Sequence, residues 1–174
     1  MKENFDASFE RVIKAEGGYV NDSADRGGET NLGVTIGAWG AYLGREIKLG
    51  EMKVLTKETV KPFYRAMYWD KVKADDLPVG VDYAVFDFAV NAGVSRAAKF
   101  LQRAVGAVDD GVIGSGTLGK IAVTNKQKLL ANFADQKQRF YQSLATTNPS
   151  QQKFLKGWLA RVDHVQSAAE SMLA

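Results

Sequence analysis

The chain has 174 residues, enough for one hydrophobic core but short for two independent domains. It has no cysteine and one histidine, His164, which argues against a disulfide framework, a thiol nucleophile and a zinc site with cysteine or several histidine ligands. The net charge of +3 suits an anionic surface, but no run of lysine and arginine indicates nucleic-acid binding.

No apolar stretch approaches the length of a membrane span, and the N-terminus lacks the apolar region of a secretory signal. We therefore expect no membrane insertion and synthesis in the cytoplasm without an export signal. If the protein acts outside the cytoplasm, another component must release it.

In chain order, apolar residues at helical spacing predict an amphipathic helix over residues 4–15, which Gly17-Gly18 end. Residues 19–36 are expected to form a loop with short strands, such as a small hairpin. Thr56 is expected to cap the next helix. Pro78 suits the first turn of a buried helix with the sequence "VGVDYAVFDFAVNAG".

In the second half, Ser95 is expected to cap a helix, and residues 106–116 to form a loop that Thr117 ends as a helix N-cap. Two further helices follow, separated by Asn148-Pro149-Ser150. The prediction is a mainly α fold: one helical domain over residues 1–174 with a small β-hairpin near the N-terminus.

The stretch "AEGGYVNDSADRGGETNLGVT", residues 15–35, combines acids and glycines directly after an apolar helical pattern. If the helix reaches Glu16, that carboxylate shares its apolar face and is partly desolvated, which raises the pKa of the group. A glutamate protonated near neutral pH suits general-acid catalysis, and Asp25 on the polar loop is expected to stay ionised. Such a pair is typical of a glycosidase, with Thr30 or Thr35 helping Asp25 to hold a water. The alternative is a turn whose acids are merely solvated.

Four other residues are candidates for substrate binding, each with a structural alternative. Tyr19 either lines the substrate cleft or is an aromatic residue that packs in the protein interior. Tyr68 and Trp69 offer a sugar-stacking face, although tryptophan is commonly core. Asn91 shares a helix stripe with Asp87, and this pair either faces substrate or ties down neighbouring backbone. We favour the structural role for Asp87.

The motif "EGGYVND…D.GG.TN.GVT" resembles the opening of glycoside hydrolase family 108, the N-acetylmuramidases found as phage endolysins and bacterial secretion-activating proteins. The segments "MYWDKVKADDLPVGVDYAVFDFAVNAG" and "AAKFLQRAVGAVDDGVIGSGTLGKI" are similar to later parts of the family, so the resemblance covers nearly the whole chain. It implies a lysozyme-like α+β fold in which the catalytic motif and a peptidoglycan-binding-like segment, about 97–174, belong to one domain.

The resemblance implies Glu16 as proton donor, with Asp25 and Thr30 assisting the attacking water. Asn31 stands where the smaller phage lysozymes have threonine, one residue after Thr30. The bond implied is the β-1,4 link between N-acetylmuramic acid and N-acetylglucosamine, and the mechanism needs no metal or cofactor. The separation of the two carboxyl groups decides between retention and inversion; an Asp-and-Thr arrangement without a close nucleophile favours inversion. The expected partner is bacterial peptidoglycan. As an endolysin, the protein would be a monomer that stays in the host cytoplasm until a holin allows its release.

Alternatives remain open at this stage. The chain could be a wall-binding or secretion-assisting protein without turnover, a hydrolase of another amino-sugar polymer such as chitin, or a lytic transglycosylase. A pure binder has no need of a desolvated acid, so Glu16 argues for an enzyme.

Overall fold

A computed structural model describes residues 4–21 and 28–173. Helices dominate these residues, and a two-stranded antiparallel hairpin lies near the N-terminus. The mainly α prediction with one small β element is therefore confirmed. The helices are α1 Asn4–Ala15, α2 Ile36–Leu43, α3 Lys57–Tyr64, α4 Val81–Ala92, α5 Val94–Ala104, α6 Ser115–Val123, α7 Lys126–Thr147 and α8 Leu155–Ser171.

Helix α1 has the predicted bounds because its apolar side chains fall on one face. Phe5, Phe9, Val12 and Ile13 are all buried. The helix ends at Ala15, and the Glu16 N–H donates to the carbonyl of Ile13 at 3.2 Å. Glu16 thus follows directly after the last helical turn.

The hairpin pairs strand β1, Thr30–Asn31, with strand β2, Val34–Thr35. Its two turn residues, Leu32 and Gly33, both have positive φ, 50° and 73°. That combination is the type I′ turn, whose twist matches the twist of a two-residue hairpin. A bridge between Val20 and Thr30 extends the pairing to the chain that leaves α1.

Helix α2 was not among the predicted elements. Its first N–H groups are capped by Thr35, whose Oγ1 accepts from the Ala38 N–H at 3.2 Å. The Thr35 hydroxyl, which was the alternative to Thr30 for holding a water, therefore caps a helix instead. Thr56 caps α3 as predicted, in a capping box with Thr59. Arg65–Trp69 continue α3 as a π-helical turn, and 3₁₀ turns cover Glu51–Val54, Ala74–Asp76 and Pro149–Phe154.

The chain divides into two compact units. The first is Phe5–Met67, and the second runs from Tyr68 onward and includes Asn4. In the first unit, Phe63 packs edge-on against Trp39 and Tyr64 at ring distances of 5.8 Å. In the second unit, Phe88 of α4 contacts Phe100 and Phe133 at 5.2 and 5.8 Å. The prediction that all residues belong to one domain stays a prediction.

Three predicted helix starts were wrong by a few residues. Pro78 lies before α4, Ser95 lies inside α5, and Thr117 lies inside α6, where it is buried. The residues that precede these helices are instead Gly80, Gly93 and Gly114. Gly80 and Gly93 adopt φ of 82° and 93°, a region that glycine enters without steric cost.

Candidate active site

Glu16 lies against the turn of the hairpin. A Cβ atom placed on Gly33 would come within 2.8 Å of Glu16 Oε2 and 3.0 Å of its Cγ, so the acid side chain occupies the space that a larger residue would need. Glu16 is half-buried. The α1 exit and the hairpin turn together fix this carboxyl group.

The hydroxyl of Tyr64 is the second group at Gly33. The same added Cβ would lie 2.5 Å from Tyr64 Oη, so the hydroxyl and the Glu16 carboxyl group are neighbours. Tyr64 is fully buried, and its hydroxyl donates to the Leu32 carbonyl at 2.8 Å. This bond holds the turn that supports Glu16. Tyr64 was not among the predicted site residues, because an apolar pattern contains no signal for where a buried hydroxyl points.

Thr30 lies in β1 of the same hairpin. Its backbone N–H and carbonyl both pair with Val20, at 2.9 and 2.8 Å, and its hydroxyl donates to the Gly28 carbonyl at 3.5 Å, the weak end of hydrogen bonding. Thr30 is partly buried. A hydroxyl with so long a bond has capacity left to orient a water.

Asp25 lies outside the described residues, so its predicted role is a proposal. Asn31, at the position where the smaller phage lysozymes have threonine, is buried, and its amide donates to the Met52 carbonyl at 2.7 Å. Asn31 therefore has a structural role, and of these two neighbouring residues only Thr30 has a hydroxyl that could orient a water.

Tyr19 follows Glu16 by three residues and is half-buried. Lys53 Nζ lies 5.4 Å from the centre of its ring. The Tyr19 hydroxyl is itself buried, and within the described ranges it has no hydrogen-bond partner. This placement beside the motif keeps Tyr19 in the proposed site.

Tyr68 and Trp69 lie at the end of the π-helical turn. Trp69 is fully buried; its Nε1 donates to Asp75 Oδ1 at 2.9 Å, and its ring meets Phe86 edge-on at 5.4 Å. A sugar-stacking ring needs an open face. The buried indole of Trp69 has no open face, so Trp69 is not part of the site that we propose. Tyr68 is half-buried and remains a candidate.

Asn91 is exposed near the end of α4, and its amide donates back to the Asp87 carbonyl at 2.7 Å. Its exposure leaves the amide oxygen open to a ligand, so Asn91 remains a proposed substrate contact in the second unit.

Asp87 lies in a buried ionic cluster in the second unit. Its Oδ1 accepts from Arg161 Nη2 at 2.8 Å and Nε at 3.1 Å, and its Oδ2 lies 3.9 Å from Lys137 Nζ. Burial lowers the pKa of Lys137 to about 8, although the charge of Asp87 opposes that shift. Asp87 is therefore a structural anchor. Sequence patterns did not reveal its partners because they come from distant helices, α7 and α8.

Within residues 4–21 and 28–173, no group of three or more histidine, aspartate or glutamate side chains could hold a metal ion. No helix in these ranges is both long and apolar enough to cross a membrane.

Two family models match the chain. The glycosyl hydrolase 108 model matches residues 9–93, which include Glu16 and the hairpin. A model described as a predicted peptidoglycan domain matches residues 96–163. The solved structure of SagA from Brucella abortus is 39% identical, with a TM-score of 0.86, and the alignment covers 99% of this chain and 97% of that one. Among curated proteins, none matches significantly.

The chain belongs to the glycosyl hydrolase 108 family. Membership makes it a glycoside hydrolase, and the second matched model indicates that it acts on peptidoglycan. The resemblance seen in the sequence is therefore confirmed at the level of family and substrate polymer.

Proposed function

We propose that the protein is an N-acetylmuramidase that cleaves the β-1,4 bond between N-acetylmuramic acid and N-acetylglucosamine, with Glu16 as general acid. The observation that supports this proposal is the seating of Glu16. Its carboxyl group lies against Gly33 and beside the Tyr64 hydroxyl, within the segment that matches the family model. A general acid must be held in a fixed position to reach the leaving oxygen.

In the proposed reaction, Glu16 donates its proton to the glycosidic oxygen as positive charge develops on the sugar ring. Asp25 and Thr30 orient a water, which attacks the opposite face of that ring. Glu16 ends ionised, and the water supplies a hydroxyl to the sugar and a proton to Asp25. This arrangement inverts the anomeric configuration, as in enzymes whose carboxyl groups leave room for a water.

The bond is tested by digesting purified peptidoglycan and analysing the products by mass spectrometry. Reducing N-acetylmuramic acid ends support the proposal. Reducing N-acetylglucosamine ends would assign another bond, and a 1,6-anhydro product would indicate a lytic transglycosylase. Clearing of chitin but not of peptidoglycan would contradict the proposed substrate.

The stereochemistry has its own test. Proton NMR of the first products, recorded before mutarotation, is expected to show the α-anomer from a β-linked substrate. Initial release of the β-anomer would contradict inversion and would indicate a covalent intermediate.

For the biological setting we propose a phage endolysin, held in the host cytoplasm as a monomer until a holin opens the membrane. The support is the family resemblance to endolysins. Co-expression with a holin is expected to lyse cells, whereas expression of either protein alone is not. Lysis without holin would contradict this setting, and wall binding without any clearing would favour a secretion-assisting role.

A further inference from the structure

Helix α5 borders a surface pocket of about 360 Å³ in the second unit. Arg96, Lys99 and Arg103 line it, and their spacing of three and four residues places them on one face of the helix. Ala92 and Gly93, which follow Asn91, complete one side. The helix begins the segment that matches the peptidoglycan-domain model.

Within the described residues, only Arg103 of these three cations forms a direct ion pair. Arg103 Nε is bonded to Asp109 Oδ2 at 2.6 Å, and this bond, with a smaller effect of Lys99, lowers the pKa of the Asp109 carboxyl. Among residues that the structure describes, no carboxylate lies within ion-pair distance of Arg96 or Lys99. Lys99 does lower the pKa of the Asp109 and Asp110 carboxyls from a longer distance, but neither it nor Arg96 is engaged in a direct ion pair, so both cations can still bind an anion.

Arg96 is also held in place. Its Nη1 donates to the Ala92 carbonyl at 3.0 Å, and its guanidinium lies 4.6 Å from the centre of the Phe140 ring. Its remaining N–H groups have no acceptor in the described part of the chain. A guanidinium fixed on an aromatic ring loses little side-chain entropy when it binds a carboxylate through two parallel hydrogen bonds.

We propose that this pocket binds a free carboxylate of the peptide stems of peptidoglycan, with Arg96 and Lys99 as the binding residues. The proposal rests on the proposed function, because it assumes that peptidoglycan is the substrate. Peptide stems present carboxylates on an extended chain beside the glycan, which suits an open pocket lined by cations. Phosphate groups of anionic wall polymers could also bind these cations, and the experiment below distinguishes peptide carboxylates from such phosphates.

The test compares two synthetic stem tetrapeptides, one with free carboxyl groups and one with all of them amidated, titrated into the protein and followed by NMR. The acidic peptide is expected to bind, with the largest shifts at the α5 amides, and the amidated peptide at least about tenfold more weakly. The double variant Arg96→Gln/Lys99→Gln should lose the binding. The control Lys128→Gln/Lys156→Gln removes the same charge at two exposed lysines outside the pocket and should keep it.

Several outcomes would overturn the proposal: equal binding of the amidated peptide, unchanged binding by the pocket variant, or tighter binding of a glycerol phosphate oligomer than of the acidic peptide. Lys99→Gln alone, with circular dichroism, guards against a folding defect. Binding without glycan cleavage would contradict the muramidase proposal but support this one; cleavage without binding would do the reverse.

Discussion

At the scale of single residues, the position of Glu16 depends on a neighbour that has no side chain. Gly33 provides both the positive φ of the turn and the space for the Glu16 carboxyl group and the Tyr64 hydroxyl. The sequence located Glu16 from its spacing after α1, but it gave no sign of which of the loop glycines would face it. That information comes from the hairpin register, which a motif does not encode.

Gly33→Ala is expected to reduce peptidoglycan turnover by about a hundredfold, because the new methyl group must displace the acid, and small misplacements of catalytic groups are costly. The strained φ should also lower the free energy of unfolding by roughly 1–3 kcal/mol. Turbidity assays and urea unfolding measure the two effects. Gly37→Ala is the control: an added Cβ there meets nothing within 4 Å, so its activity should be unchanged. Full activity of Gly33→Ala would refute this account of the site.

Tyr64→Phe is expected to lower the free energy of unfolding by about 1 kcal/mol, because the Leu32 carbonyl loses its donor. Turnover should also fall, since the turn supports Glu16. Tyr42→Phe, which alters a ring in contact with Phe63 at 5.3 Å, is a matched control expected to keep both properties. Equal effects of the two changes would mean that the Tyr64 hydroxyl has no special role.

At the scale of elements, the sequence predicted helices well where an apolar stripe and a polar cap coincide. Helix α3 has both, the Thr56 cap and a buried apolar face, and in α1 the buried apolar face alone was enough. Helix α2, "IGAWGAYL", has no charged face to create a period, so it was missed. The starts of α4 and α5 were misplaced because each helix is preceded by a glycine in an unusual conformation. Residue preferences at helix N-termini instead favour serine as the cap and proline in the first turn.

The buried ionic cluster ties α4 to α7 and α8 in the second unit. Asp87→Asn is expected to destabilise the protein by roughly 3–5 kcal/mol, because it removes the negative charge that Asp87 places beside Arg161 and the buried Lys137. Lys137→Met leaves the Asp87–Arg161 pair intact and should cost far less. Urea unfolding compares the two variants. A mild Asp87→Asn effect would show that the cluster contributes little.

The cluster also predicts a pH dependence. The pKa of Lys137 is about 8 in the folded protein and 10.5 in its ordinary state, so the unfolded chain binds more protons between these values. The stability contribution of Lys137 therefore rises with pH through this window. Relative to Lys137→Met, the wild type should gain about 2 kcal/mol of unfolding free energy between pH 7 and pH 10. A pH-independent difference would mean that the pKa of Lys137 is not lowered.

At the scale of the whole molecule, the order of the motif blocks along the sequence predicted the family, and the comparisons confirm it over nearly the full chain. The mainly α fold was predictable from periodicity, and the motif singled out Glu16 as the proposed general acid. The surroundings of the acid were not, because Gly33 and Tyr64 reach it from separate elements. The burial of Trp69 was not predictable either, because the exposure of a side chain depends on how the chain folds.

The central claim, that Glu16 is the general acid, is tested most directly by Glu16→Gln in a turbidity assay on purified peptidoglycan. The control is Glu10→Gln, which removes an exposed carboxylate of α1 that pairs with Lys57. We predict clearing by the wild type and the control, and a loss of roughly a hundredfold or more in Glu16→Gln with an unchanged circular dichroism spectrum. A folded Glu16→Gln variant that clears peptidoglycan as fast as the wild type would contradict the account.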